Sequence, residues 1–269
     1  MISFPNAKIN LGLYIVSKRS DGYHNIETIF YPIRLYDVLE IVPAEGKTTF
    51  TPSGIPIDEN PNNNLVMRAF NLLRNDYDLP EIAIYLRKNI PMGAGLGGGS
   101  SDAAQMLLLI NEFAGLNLSS DQLESYAAQI GADCPFFIRN KPVFAEGTGN
   151  IFTPITLSLQ GYYLVLVKPD IFVSTPEAYA RIKPKQPDFP LPETVQRPVG
   201  EWKTRLTNDF ETGVFEQYPE IGAVKRKLYE HGAIYASMSG SGSSVFGIFE
   251  SPVNLENEFP SATKTYCFP

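Results

Sequence analysis

Five glycines within seven residues constrain this chain more than any other stretch. From Pro91 to Ala104 it reads PMGAGLGGGSSDAA, with Gly93, Gly95, Gly97, Gly98 and Gly99. Without a Cβ, these residues let the backbone take positive φ and crowd its N–H groups around a bulky ligand. The preceding run EIAIYLRKNI alternates Ile82, Ile84 and Leu86 against Ala83, Tyr85 and Arg87, which predicts a strand. The run DAAQMLLLINEF that follows is made of helix formers, and Ser100 and Ser101 read as its N-terminal cap. Strand, glycine loop and helix together aim amide N–H groups and the positive end of a helix dipole at one place, an arrangement suited to a phosphate.

Three phosphate-binding patterns compete with a plain flexible turn. A Walker A loop requires a lysine after its last glycine, and Gly99 is followed by Ser100. Gly93, Gly95 and Gly98 match the dinucleotide pattern G-x-G-x-x-G, but that fold requires a second strand ending in Asp or Glu after the helix. Here SDQLESYAAQIG places Leu123, Tyr126, Ala127 and Ile130 at helical spacing instead. Protein kinases share the glycine pattern, and the chain has neither H-R-D nor D-F-G.

The stretch PMGAGLGGGSSDAA resembles the second motif of the GHMP kinases, the small-molecule kinases that include galactokinase, homoserine kinase and mevalonate kinase. Two further segments carry the resemblance. AKINLGLYI, from Ala7 to Ile15, resembles the first motif, and SMSGSGSSVFG, around Ser239 to Ser243, resembles the third. Their common order along the chain makes the set far more specific than any one member. The form of the first motif, followed by SKRSDGYHNIETIF, is similar to the branch whose acceptor is 4-diphosphocytidyl-2-C-methyl-D-erythritol.

Read as residues, AKINLGLYI alternates Ile9, Leu11, Leu13 and Ile15 with Lys8, Asn10 and Gly12, so a lysine and an asparagine share one strand face. That face is either the solvated side of an antiparallel strand or a functional pair. In DGYH, Asp21 and Gly22 make a turn that presents Tyr23 and His24. Asn64 reads as the cap of a helix carrying Val66, Ala69, Phe70 and Leu73. Gly115 ends the helix after the glycine loop, and Ser119 with Gln122 forms a capping box for the next. In GADCPFF, Asp133 is either a turn residue or a general base, and Cys134 reads as a small buried residue. Five prolines between Pro184 and Pro198 predict a surface loop or crossover. A later helix carries Ile221, Val224 and Leu228.

The resemblance implies an α+β fold of two domains with a deep cleft between them. The N-terminal domain would span residues 1–155, with the glycine loop and catalytic residues, and the C-terminal domain 156–269. It implies ATP and Mg²⁺ as cofactors, with Lys8 and Asp133 catalytic. ATP would be held by Pro91, Met92, Gly93, Ala94, Gly95, Leu96, Gly97, Gly98, Gly99, Ser100 and Ser101, with Asn64 near the adenine. Asn10, Tyr23, His24, Thr175 and Tyr179 would bind the cytidyl acceptor, whose 2-hydroxyl is phosphorylated on the non-mevalonate route to isoprenoid precursors. Ser101 would approach the metal, and no carboxylate ligand is assigned. Another GHMP kinase, acting on homoserine, mevalonate or a sugar, and a regulatory protein of this fold without turnover are the rival readings.

Composition narrows the partners. A formal net charge of −7 and a pI near 5.0 argue against nucleic acid or an anionic membrane surface. Cys134 and Cys267 form no C-x-x-C and two histidines offer little for zinc, so a reduced, cytoplasmic setting is expected. The start MISFPNAKIN lacks a signal pattern, and no apolar run approaches the roughly 18 residues of a membrane span. A monomer or weak homodimer acting on small molecules is the expected form.

Overall fold

The structure is a computed structural model that describes residues 1–57, 60, 63–255, 257–259 and 264–268. Contacts divide the chain into two compact units that interleave along the sequence. Unit 1 comprises Met1–Lys8, Pro32–Met92 and Gly97–Lys141; unit 2 comprises Ile9–Tyr31, Gly93–Leu96 and Pro142–Pro269. A single boundary near residue 155 does not describe this grouping. Two early segments of the chain join the later half, a placement set by long-range pairing that local pattern does not reveal.

In unit 1, strands β1 (Ile2–Ser3), β4 (Val38–Pro43), β5 (Thr49–Gly54) and β6 (Ile82–Lys88) form a sheet in the order β1-β4-β6-β5. β4 runs antiparallel to β6, and β5 parallel to it. The alternation expected around residue 84 is observed: Ile82, Ile84 and Leu86 are buried, Tyr85 and Arg87 exposed. Helices α1 (Leu65–Asp76), α2 (Gly98–Phe113), α3 (Ser120–Ile130) and the short α4 (Phe136–Arg139) complete the unit. α2 contacts α1, α3, α4 and β4, and Ala103, Ala104, Met106, Leu107 and Ile110 are buried along it. A helix apolar around most of its girth belongs inside a core.

Helix ends follow the expected chemistry. Asn64 caps α1, its Oδ1 accepting from Val66 N at 2.9 Å. Ser119 and Gln122 form the reciprocal capping box of α3. Gly115, at φ +62°, follows the end of α2 in the left-handed region.

In unit 2, one sheet has the order β2-β3-β7-β8, built from β2 (Asn6–Lys18), β3 (His24–Tyr36), β7 (Val143–Glu146) and β8 (Ile151–Pro154). β2 begins, and β3 ends, in residues grouped in unit 1. A second sheet has the order β10-β11-β9-β12, from β9 (Tyr163–Lys168), β10 (Tyr235–Met238), β11 (Val245–Phe249) and β12 (Lys264–Phe268), all antiparallel. Helices α5 (Thr175–Ala180), α6 (Leu191–Thr194), α7 (Phe210–Gln217) and α8 (Pro219–Glu230) belong here. α8 packs on β10 and β11 through Ile221, Val224 and Leu228. The proline-rich crossover contains the single turn α6, whose Leu191 is fully buried against Gly12.

Candidate active site

Gly95 and Gly97 take φ of +77° and +69°, so each reverses the chain in a region costly to any residue with a Cβ. α2 begins at Gly98, one turn earlier than the serine cap expected from sequence. Its N-cap is Gly97, which has no side chain to accept a hydrogen bond, and Ser100 and Ser101 lie inside the first turn. A serine cap would consume one of the first-turn N–H groups; a glycine cap leaves them for a ligand. The first intrahelical bond runs from Ser101 N to Gly97 O at 2.9 Å, so the amides of Gly98, Gly99 and Ser100 precede the ladder. Backbone donors and helix dipole together make this turn an anion site.

Beneath the turn lie Lys8 and Asp133, with Nζ and carboxylate 3.6 Å apart. Both flanks of β2 are buried from Asn6 to Ile15, so Lys8 does not occupy a solvated face. Burial pushes its ammonium below the usual lysine range, and the Asp133 carboxylate pulls it partly back. Asp133 sits in the turn between α3 and α4 with about a third of its side chain exposed, open to an incoming group. A Cβ at Gly97 would lie 2.9 Å from Phe137 Cζ and 3.2 Å from Lys8 Cγ, so the glycine turn rests directly on Phe137 and on the lysine of this pair. Cys134 beside it is buried, and that burial pushes its thiol up to about 11, in keeping with an inert small residue.

One cluster was missed in the sequence. Lys88 ends β6 on the same face as Ile82, Ile84 and Leu86 and is buried with them. Its ammonium donates to Asp37, between β3 and β4, and to Asp102 Oδ2 of α2 at 2.6 Å. Asp37 Oδ1 also accepts from Asn89 N at 2.5 Å and Ile90 N at 2.9 Å. Asp102 Oδ1 and Ser101 Oγ are buried with no hydrogen-bond partner among the described residues. Burial, with the Asp37 charge adding to it, raises the Asp102 carboxyl to about 8 against the pull of Lys88. The signal available in sequence was a lysine in phase with an apolar strand face.

In unit 2 the third glycine-rich segment meets the loop residues 93–96 backbone to backbone. Ser239 Oγ donates to Gly95 O at 2.8 Å, and any Cβ at Gly95 would overlap the Ser239 carbonyl. Ser244 N reaches Ala94 O at 3.4 Å. Asn208 pins the segment, its Nδ2 donating to Met238 O and Gly240 O, each at 2.8 Å. Asn10 serves the same junction. Its N–H donates to Ser239 Oγ at 3.3 Å and its Nδ2 to Thr28 Oγ1 at 2.9 Å.

The residues expected around a nucleobase also lie in unit 2. Tyr179 of α5 stacks on His24, ring centroids 4.9 Å apart at 20°, and meets Phe210 edge-on. Tyr23, in the turn closed by Asp21 Oδ1 accepting from Tyr23 N, stays 68% exposed. Thr175, at the start of α5, lies 3.4 Å from Ser241 Oγ.

For a metal, no group of three or more His, Cys, Asp and Glu is arranged as ligands among the described residues. The unpartnered Ser101 hydroxyl on the first turn of α2 fits a Mg²⁺ ion that takes most of its oxygens from nucleotide phosphates and water. Among the described residues no helix is long and apolar enough to cross a membrane.

Comparison with known proteins gives the family. Residues 64–141 match the GHMP kinases N terminal domain, and residues 192–265 the GHMP kinases C terminal model. A 4-diphosphocytidyl-2-C-methyl-D-erythritol kinase of Parabacteroides distasonis is 60% identical over 96% of this chain and 95% of its own. One from Bacteroides thetaiotaomicron is 58% identical over 100% and 98%. A crystal structure of 4-(cytidine 5'-diphospho)-2C-methyl-D-erythritol kinase superposes with a TM-score of 0.82 at 33% identity, covering 94% of this chain and 91% of that one. Homoserine kinase from Cytophaga hutchinsonii, at 17% identity and TM-score 0.65, shares the fold. The chain therefore belongs to the GHMP kinases, and within them to the family of 4-diphosphocytidyl-2-C-methyl-D-erythritol kinases.

Proposed function

We propose that this kinase transfers the γ-phosphoryl group of ATP to the 2-hydroxyl of 4-diphosphocytidyl-2-C-methyl-D-erythritol, a step toward isoprenoid precursors in the cytoplasm. The observation that carries the chemistry is the uncapped first turn of α2 lying on the Lys8–Asp133 pair. Amides of the turn hold the phosphates, and Ser101 would supply a protein oxygen to Mg²⁺, which would offset charge on the phosphate oxygens. Asp133 accepts the proton of the acceptor hydroxyl. Lys8, a buried cation beside it, orients the carboxylate and offsets charge as the phosphoryl group moves.

The acceptor reading is supported by the relatives' names and by His24 with Tyr179. Stacking on an aromatic ring tolerates every base, so preference for cytosine must come from hydrogen bonds at its edge, a task we give to the His24 imidazole. In the structure Tyr179 covers one face of that imidazole, and Tyr23 in the adjoining turn is the exposed ring available as a platform. ATP consumption measured side by side with the cytidyl compound, homoserine, mevalonate and galactose tests the reading. Turnover confined to the cytidyl compound is expected; preference for any of the other three would replace it with a different kinase of the fold.

A further inference from the structure

The Lys88, Asp37 and Asp102 cluster has no part in the chemistry above, yet it costs the fold something to keep. Moving a lysine ammonium and a carboxylate out of water carries a desolvation penalty that their attraction does not always recover. At the end of an apolar strand face, a leucine or methionine would pack without that penalty. What charged hydrogen bonds add over apolar contact is direction.

The directions converge on the two ends of the glycine stretch. At its entrance, the N–H groups of Asn89 and Ile90 both donate to Asp37 Oδ1. At its exit, Asp102, directly after the first turn of α2, accepts from Lys88, which also holds Asp37. Between them, Lys88 Nζ would lie 3.3 Å from a Cβ at Gly98 and the Ile90 side chain 2.8 Å from it. One lysine thus ties the segment that leads into the loop to the helix turn that leads out of it. All of these groups lie in unit 1.

We propose that the Lys88–Asp102 tie, braced by Asp37, positions the first turn of α2 for the phosphates of ATP, so that a buried cluster flanking the glycine loop sets nucleotide affinity. The inference rests on the reading of that turn as the phosphate site. Glycine gives the loop freedom to wrap a phosphate, and the same freedom lets its amides point elsewhere. A fixed anchor at both ends reduces the ordering left to be done on binding. Lys88, Asp37 and Asp102 are positioning residues here, not catalytic ones.

The test is calorimetric titration of Mg·ATP into the full-length protein with no acceptor present, alongside thermal melts and steady-state kinetics. Asp102→Asn keeps shape and an acceptor oxygen but cannot ionise against the Lys88 ammonium. It is expected to weaken ATP binding about tenfold, the lower end of what supporting groups around a bound ligand contribute, with the acceptor KM within about twofold of wild type. A second variant, Lys88→Met with Asp102→Leu and Asp37→Asn, removes every charge of the cluster while the amide at position 37 keeps an acceptor for the Asn89 and Ile90 N–H groups, and replacing a buried ionic cluster as a whole often leaves a fold as stable or more so. It is expected to melt no lower than wild type and still bind ATP poorly, a split that a purely structural cluster would not give. Wild-type affinity for Mg·ATP in either variant, folded by circular dichroism, would overturn the proposal whatever its melting temperature. Wild-type turnover of the cytidyl compound in the same experiment reports on the acceptor reading separately.

Discussion

Lys8 and Asp133, a buried lysine paired with a partly open aspartate, are the two residues to which the proposed mechanism gives the chemistry. The lysine is nearly inaccessible, the aspartate is partly open, and the 3.6 Å between them is an attraction without full neutralisation. Asp133→Asn removes the proton acceptor while keeping the shape, so kcat should fall by roughly 10² to 10⁴, the usual worth of a general base, with ATP affinity little changed. Steady-state kinetics with ATP held saturating checks this; near-native kcat would remove Asp133 from the reaction. Burial lowers the Lys8 pKa, so the ammonium is lost at a lower pH than from a free lysine, and rates that need it decline as pH rises through that lowered value. Lys8→Arg keeps its charge at every accessible pH. The basic limb of the pH profile should therefore disappear in this variant even if its maximum rate drops, and a limb unmoved by the substitution would mean that another group titrates there. Asn64 makes a contrasting case. Its side chain caps α1 and is buried, so Asn64→Ala should cost about 0.5 to 2 kcal/mol in denaturant unfolding.

At the scale of elements, the glycine loop and α2 behave as one device whose parts tolerate change differently. Gly97 stands at φ +69° with Phe137 and Lys8 where a Cβ would go. Gly97→Val should therefore lose ATP turnover, by strain at the turn and displacement of Lys8. Gly99 is already helical, with only Leu65 Cδ1 at 3.5 Å from its would-be Cβ. Gly99→Ala should stabilise the helix by roughly 0.5 to 1 kcal/mol, as alanine does over glycine in a helix. If the Gly99 amide faces a phosphate, the same variant binds ATP more weakly while melting higher. Melts and nucleotide titrations of the two variants separate the effects. A Gly99→Ala protein with both higher stability and unchanged ATP affinity would move the phosphates away from that residue.

For the molecule as a whole, the local elements were legible and their assembly was not. Alternation in EIAIYLRKNI, helical spacing in α8 and the capping box of α3 are short-range signals, and each element is where its pattern put it. The start of α2 was misplaced because a serine after glycine reads as a cap, whereas the chain uses Gly97 in a left-handed turn, a choice made by the close contact with Phe137 and Lys8. Lys88 was overlooked because its partners, Asp37 and Asp102, are 51 and 14 residues distant and nothing local announces them. The interleaving of residues 9–31 and 93–96 with the C-terminal half is likewise a product of long-range pairing. Function was legible through three ordered motifs and their family likeness; specificity for the acceptor rests on far fewer residues, chiefly His24, Tyr23 and Tyr179.

That specificity is also where the functional reading is most exposed to a direct test. If the protein reads cytosine through hydrogen bonds at its edge, an acceptor without the nucleotide leaves the edge-reading groups unpaired, and discrimination is steep for sites built that way. The measurement is kcat/KM for 4-diphosphocytidyl-2-C-methyl-D-erythritol against 2-C-methyl-D-erythritol 4-phosphate, in wild type and in His24→Ala, at one ATP concentration. Wild type should favour the cytidyl compound by about 10⁴ or more, and His24→Ala should narrow the margin by about tenfold or more, as expected when one edge contact is lost. Equal kcat/KM for the two acceptors in wild type would contradict the cytidine site and, with it, the proposed function.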